Sequence, residues 1–205
     1  RNHLNVGRII FPNKLNLPKG LKVGIIGSGK IAEEYIKVVR SFNHSLKFIY
    51  SVSKNPEANK IAKKNKAKLL KSIKEIFFIN DVDFWIVCTS WSKLRKIFFS
   101  ISKIDKPILF EKSLIIKTTE LKKIKNQKKN NLFLKNLSFA FNRNHYDYMH
   151  FLNSKLINNQ VNYGCAYLYD PFDQLIKNKK ITKKYLTKYI TSHWISLILK
   201  IFKIA

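Results

Sequence analysis

Lys22-Val23-Gly24-Ile25-Ile26-Gly27-Ser28-Gly29-Lys30-Ile31-Ala32 passes from a short apolar run through two glycines into a helical pattern. The order predicts a strand over Leu21 to Ile26, a tight turn and a helix. Within the turn the spacing is Gly27-x-Gly29-x-x-Ala32, and each position has its own task in holding a pyrophosphate. Gly27 permits the turn, Gly29 lets the backbone approach the anion without a Cβ in the way, and Ala32 keeps the helix close to the sheet. The first turn of that helix turns free N–H groups and a positive dipole end toward the phosphates. Ile31, Tyr35, Val38, Val39 and Phe42 are expected on one buried helical face.

Outward from this turn, strands and helices alternate. Leu46 to Val52 predicts a second strand and Pro56 to Lys64 a helix, followed by a brief strand at Ala67 to Leu70. Ser72-Ile73-Lys74-Glu75 has the spacing of a capping box and so marks a helix start. Val82 to Thr89 is almost continuously apolar, as a strand covered on both faces must be. A helix over Ser92 to Lys103 leads to a strand at Pro107 to Lys112. A further helix, capped at Thr118 or Thr119, precedes a strand at Leu132 to Phe141. The alternation predicts an α/β fold with a doubly wound parallel sheet. Beyond Phe141 the pattern changes to a helix at His145 to Ile157, an alternating strand at Val161 to Tyr169, a polar loop and a terminal helix ending at Phe202. The expected organisation is an extension over 1–20, a dinucleotide-binding Rossmann domain over 21–141, and the beginning of a second α+β domain over 142–205.

The chain has 205 residues, begins at Arg1 and stops at Ala205 directly after an apolar helical run, so a piece of a longer protein is expected. Its formal charge of +28 is of the size that draws proteins to nucleic acid or anionic membranes. Only Arg1, Arg8, Arg40, Arg95 and Arg143 among the 40 basic residues are arginines, and the lysines are spread over most predicted helices. Arginine is the preferred bidentate reader of phosphates and bases, so no nucleic-acid partner is expected. No apolar run reaches the roughly 18 residues that span a bilayer, which argues against a membrane segment. Cys88 and Cys165 form neither a disulfide framework nor a metal-ligand spacing, and a reducing cytoplasm with no metal site is the expectation.

A Rossmann domain that binds NAD usually carries an acidic residue at the end of its second strand, bonded to the ribose 2′-hydroxyl. Here that corner reads Ser51-Val52-Ser53-Lys54. With hydroxyls and an ammonium instead of a carboxylate, NADP is at least as fitting as NAD, although Lys54 also reads as one more solvated lysine. Glu111-Lys112 falls at the predicted C-terminal end of a sheet strand, the edge where ligands gather. A partly desolvated lysine there has its pKa lowered and becomes a proton acceptor for a substrate alcohol. Taken locally, the same pair reads as an ordinary surface ion pair.

From Leu21 to Phe202 the chain resembles the Gfo/Idh/MocA oxidoreductases, relatives of glucose-fructose oxidoreductase and inositol dehydrogenase. The resemblance rests on Gly27 to Ala32, on the strand ending at Thr89, on Phe110-Glu111-Lys112 in place of the family's Glu-Lys-Pro, on Phe141-Asn142-Arg143, and on His193 in Ser192-His193-Trp194-Ile195. It implies an NAD(P)-dependent enzyme that moves hydride between nicotinamide and a sugar, cyclitol or sugar-derived substrate, and a homo-oligomer when full-length. The implied catalytic pair is Lys112 and His193, with Arg143 as a further substrate contact. The implied cofactor residues are Gly27, Ser28, Gly29, Lys30, Ile31, Ala32, Ser51, Ser53, Lys54, Thr89 and Glu111. Ser113 stands where the family has proline, and Tyr189 where an aspartate precedes the histidine. These departures leave a second reading open, a catalytically weak nucleotide-binding paralogue that acts as a sensor or assembly partner.

Overall fold

The computed structural model describes residues 20–53, 55–112, 117–125, 131–141 and 195–196. The chain divides into two compact units, and one of them, Leu17–Ala140, holds every element named below. Strand β1 (Lys22–Ile26) leads through the glycine turn into helix α1 (Lys30–Ser41). Then come β2 (Ser45–Tyr50), α2 (Glu57–Lys64), β3 (Lys68–Leu70), a 3-10 helix at Ile73–Phe78, β4 (Phe84–Val87), α3 (Trp91–Ser100) and β5 (Ile108–Phe110). Helices α4 (Thr118–Lys125) and α5 (Asn131–Lys135) precede β6 (Leu137–Phe139). The strands form one six-stranded sheet in the order β3-β2-β1-β4-β5-β6, and every neighbouring pair is parallel. This is the doubly wound arrangement that the alternation of elements predicts. Because all strands point one way, the ends of β1, β4 and β5 share one edge, and the order reverses direction between β1 and β4. Ligands of such folds sit at that reversal.

The two faces of the sheet are set by the alternation of side chains along each strand. Val23, Ile25, Leu46, Ile49, Ile86 and Cys88 point to the side covered by α1 and α2, where Ala32, Ile36, Val39, Ile61 and Ala62 meet them. Ile26, Trp85, Val87, Ile108 and Phe110 point to the other side, against Leu94, Ile97 and Phe98 of α3, Ile124 of α4 and Phe133 of α5. Edge-to-face contacts of Phe98 with Phe110 (5.7 Å) and with Phe133 (5.3 Å) lock β5 under α3 and α5. Arg95 of α3 pairs with Glu120 of α4 at the surface.

Gly24 explains how Trp85 fits. The two residues face each other in the β1–β4 register, and a Cβ on Gly24 would overlap the indole ring, which is fully buried. The strand therefore needs glycine here for space, not for backbone conformation. Gly24→Ala is expected to cost about 2 kcal/mol, since the fully buried ring would have to shift against its neighbours. Thermal unfolding checks this, and an unchanged midpoint would show that the indole can move aside.

Three expectations change. The buried face of α1 is Ala32, Ile36 and Val39, while Ile31 and Val38 are each 51% exposed. The helix starts so close to the sheet that only small Ala32 fits beneath its first turn, which rotates the larger Ile31 outward. The stretch Leu132 to Phe141, expected as one strand, is helix α5 followed by short β6. A brief apolar run serves either state, and burial of Phe133 against Phe98 selects the helix. The chain then turns at Asn136, whose side chain donates to the Asp105 carbonyl and whose own carbonyl accepts from Ile108 N–H. The capping box at Ser72 is present, but it opens a 3-10 helix: Ser72 Oγ accepts from Lys74 N–H at 3.2 Å, and Glu75 accepts from Ser72 N–H at 2.7 Å. The expected elements between His145 and Phe202 lie outside the described residues, apart from Ile195 and Ser196, which are helical. Among the described residues no helix is long and apolar enough to cross a membrane.

Candidate functional site

The glycine turn closes β1 at the reversal point of the sheet. Gly27 has φ +139°, which L side chains rarely adopt, and its N–H donates to the Tyr50 carbonyl at 2.9 Å. A Cβ on Gly27 would lie 2.6 Å from the Cys88 carbonyl oxygen and 3.1 Å from its Sγ, so the turn is pressed directly onto the end of β4. Gly29 is different. Its backbone is extended, at φ −95° and ψ −175°, and a Cβ there would meet nothing within 4 Å. The space over Gly29 is thus open, as an approaching phosphate requires.

Helix α1 starts here without a side-chain cap. Ala32 N–H and Glu33 N–H both turn back to the Gly29 carbonyl, whereas the N–H groups of Lys30 and Ile31 have no hydrogen bond among the described residues. Uncapped first-turn donors beside an open glycine make an anion cradle. The pyrophosphate of a dinucleotide fits this donor set. Lys30 and Ile31 are exposed at its rim, while Ala32 is buried beneath it.

At the end of β2 the structure separates residues that look alike in sequence. Ser51 is only 6% exposed and Ser28 7%, and their hydroxyls lie 2.8 Å apart. Ser51 Oγ also accepts Asn55 N–H at 3.1 Å, and the Asn55 side chain donates to the Ser28 carbonyl. This buried cluster ties the glycine turn to the start of α2, so Ser51 is engaged within the protein. Ser53 is exposed, and Lys54 lies outside the described residues.

At β4 and β5 the edge carries Cys88, half-buried Thr89, Glu111 and half-buried Lys112. Glu111 N–H donates to the Val87 carbonyl at 2.8 Å, the last rung between these strands. Its carboxylate accepts a 2.6 Å hydrogen bond from Tyr35 Oη, which reaches across from α1. Burial, and next the bond to Glu111, push the Tyr35 phenol well up, so it remains a donor. Burial, with Glu111 adding to it, likewise raises the Cys88 thiol, which stays protonated and unreactive. Sequence reading missed Tyr35 in this place, because its position on α1 signals only an apolar face. Arg143, Ser113, Tyr189 and His193 lie outside the described residues. Among the described residues no group of three or more His, Cys, Asp or Glu side chains could hold a metal ion.

Residues 21–134, more than half of the chain, match the model of the GFO_IDH_MocA oxidoreductase family with its NAD-binding Rossmann fold. The chain belongs to the Gfo/Idh/MocA family. No match is found among curated protein sequences. Solved structures of dehydrogenases superpose on the chain. The WlbA dehydrogenase from Bordetella pertussis, in complex with NADH and UDP-GlcNAcA, has a TM-score of 0.67 at 12% identity, covering 89% of this chain and 55% of that one. A probable dehydrogenase from Thermotoga maritima gives 0.66 at 18% identity, covering 89% and 55%. Myo-inositol dehydrogenase from Lactobacillus casei, in complex with NAD(H) and myo-inositol, gives 0.65 at 17% identity, covering 90% and 55%. At such identities the likeness is one of fold. The chain spans about half the length of these structures.

Proposed function

We propose that this Gfo/Idh/MocA chain serves an NAD(P)-dependent dehydrogenase that oxidises a hydroxyl of a sugar, cyclitol or sugar-derived substrate. The observation that carries this reading is the parallel β1–β4–β5 ladder, which brings the Gly27–Ala32 turn and Glu111-Lys112 to a single edge of the sheet. Gly29 and the N–H groups of Lys30 and Ile31 would hold the pyrophosphate. Ile31, exposed at the rim, and Thr89, at the end of β4, would line the cofactor's path along that edge. Bound nicotinamide supplies the hydride acceptor. Lys112 takes the hydroxyl proton on its Nζ as the carbonyl forms, and His193 orients the hydroxyl, with Arg143 on the substrate. The free, buried Cys88 thiol suits a reducing compartment, and the cytoplasm is the proposed location.

Steady-state reduction of NAD(P) by the full-length protein, with a panel of sugars, cyclitols and sugar nucleotides, tests the reading. Turnover on at least one of them is expected. Tight nucleotide binding without turnover on any would favour the catalytically weak paralogue.

The second-strand corner sets the expected cofactor preference. Among 51–55 no carboxylate stands ready to repel a 2′-phosphate, and Ser53 is exposed beside Lys54. NADPH is therefore expected to bind at least as tightly as NADH in a fluorescence titration. Lys54→Ala should weaken NADPH more than NADH. A large preference for NADH in the parent chain would reverse this assignment.

A further inference from the structure

Glu111 directly follows β5 and is still bonded to β4 through its N–H, and Lys112 comes next. The backbone of a residue at such a point starts from whatever fixes the one before it. Glu111 is fixed twice: its N–H is tied to Val87 of β4, and its carboxylate to Tyr35 of α1. Tyr35 stands about one and a half turns along the same helix whose first turn forms the anion cradle. A single rigid element thus addresses the dinucleotide with its end and the strand end with its side. Tyr35 is half-buried and its phenol stays protonated, so the donor is present at every pH at which an alcohol dehydrogenase works.

We propose that Tyr35 is a positioning residue: by holding the Glu111 carboxylate it sets the Lys112 amine relative to the dinucleotide bound at the start of its own helix. This role rests on the dehydrogenase reading above. Tyr35 touches neither substrate nor cofactor in it. Its contribution is geometric, and displacement of a catalytic group by about 1 Å can cost on the order of 10²-fold in rate.

Tyr35→Phe keeps the buried ring and removes one oxygen, so it preserves the packing of α1. NADH and NADPH affinities of Tyr35→Phe should stay within about threefold of the parent, while kcat falls about tenfold with little change in substrate KM. Glu111→Gln added to Tyr35→Phe should cause no further loss beyond about twofold, because the two residues act as one unit. A readout independent of turnover is the chemical shift of the Tyr35 ring carbon that bears the hydroxyl, followed at neutral pH by NMR of ring-labelled tyrosine. In Glu111→Gln this signal should move, since the phenol loses its anionic acceptor. Unchanged kcat in Tyr35→Phe overturns the role, as does a parallel fall of kcat and nucleotide affinity, which would mean only a displaced helix. Insensitivity of the Tyr35 signal to Glu111→Gln overturns it as well, whatever the activity. No turnover by the parent chain would instead sink the dehydrogenase reading, and this role with it.

Discussion

Lys112→Met is expected to lower kcat by about 10²- to 10⁴-fold while nucleotide affinity stays within about threefold. The magnitude is that of acid-base help from one positioned side chain. The separation follows from the architecture. On the proposed reading the turn after β1 and the start of α1 hold the nucleotide, whereas Lys112 follows β5, two strands away in the sheet. Methionine retains the length and much of the apolar stem of lysine, so the half-buried strand end stays filled. His193→Asn should cost less than Lys112→Met if the lysine is the main proton acceptor. Near-normal turnover by Lys112→Met, on a substrate that the parent oxidises, would return Glu111-Lys112 to the status of an ordinary strand-end pair.

The second large effect belongs to the turn. Gly27→Ala should destabilise the chain by about 4 kcal/mol, combining an unfavourable positive φ with an overlap against the Cys88 backbone. The Cys88 carbonyl is not the far end of a flexible side chain, and Cys88 N–H is itself bonded to the Ile26 carbonyl at 2.9 Å. Neither side of the contact can give way without breaking the β1–β4 ladder. Gly29→Ala is the matched control. Its backbone conformation suits alanine and its Cβ would project into open space, so stability should change by less than about 0.5 kcal/mol. Nucleotide affinity should nevertheless fall by about tenfold or more, because that space is where the proposed cradle receives the pyrophosphate. Calorimetry and nucleotide titration on the two variants separate the effects. Full affinity in a stable Gly29→Ala would place the phosphates elsewhere.

Element type was legible in the sequence wherever the local pattern was strong. The almost continuous apolar run from Val82 to Thr89 reads as a strand covered on both faces, and Ser72 with Glu75 reads as a cap before any helix is seen. The Gly27-x-Gly29-x-x-Ala32 turn names the sheet edge, and with Glu111-Lys112 it names the family. Each of these signals is written within a few residues, and local sterics and hydrogen bonding decide it. Contacts between distant segments are of another kind. Tyr35 and Glu111 lie 76 residues apart, Gly24 and Trp85 meet only through strand pairing, and Ser51 turns inward only because Ser28 and Asn55 reach it. Even the buried face of α1 depends on how near its first turn sits to the sheet, a distance that Ala32 and the turn at Gly27 set together. Such contacts arise when helices dock on strands already in register, and the docking follows the summed packing of both layers, which no single stretch of the chain contains.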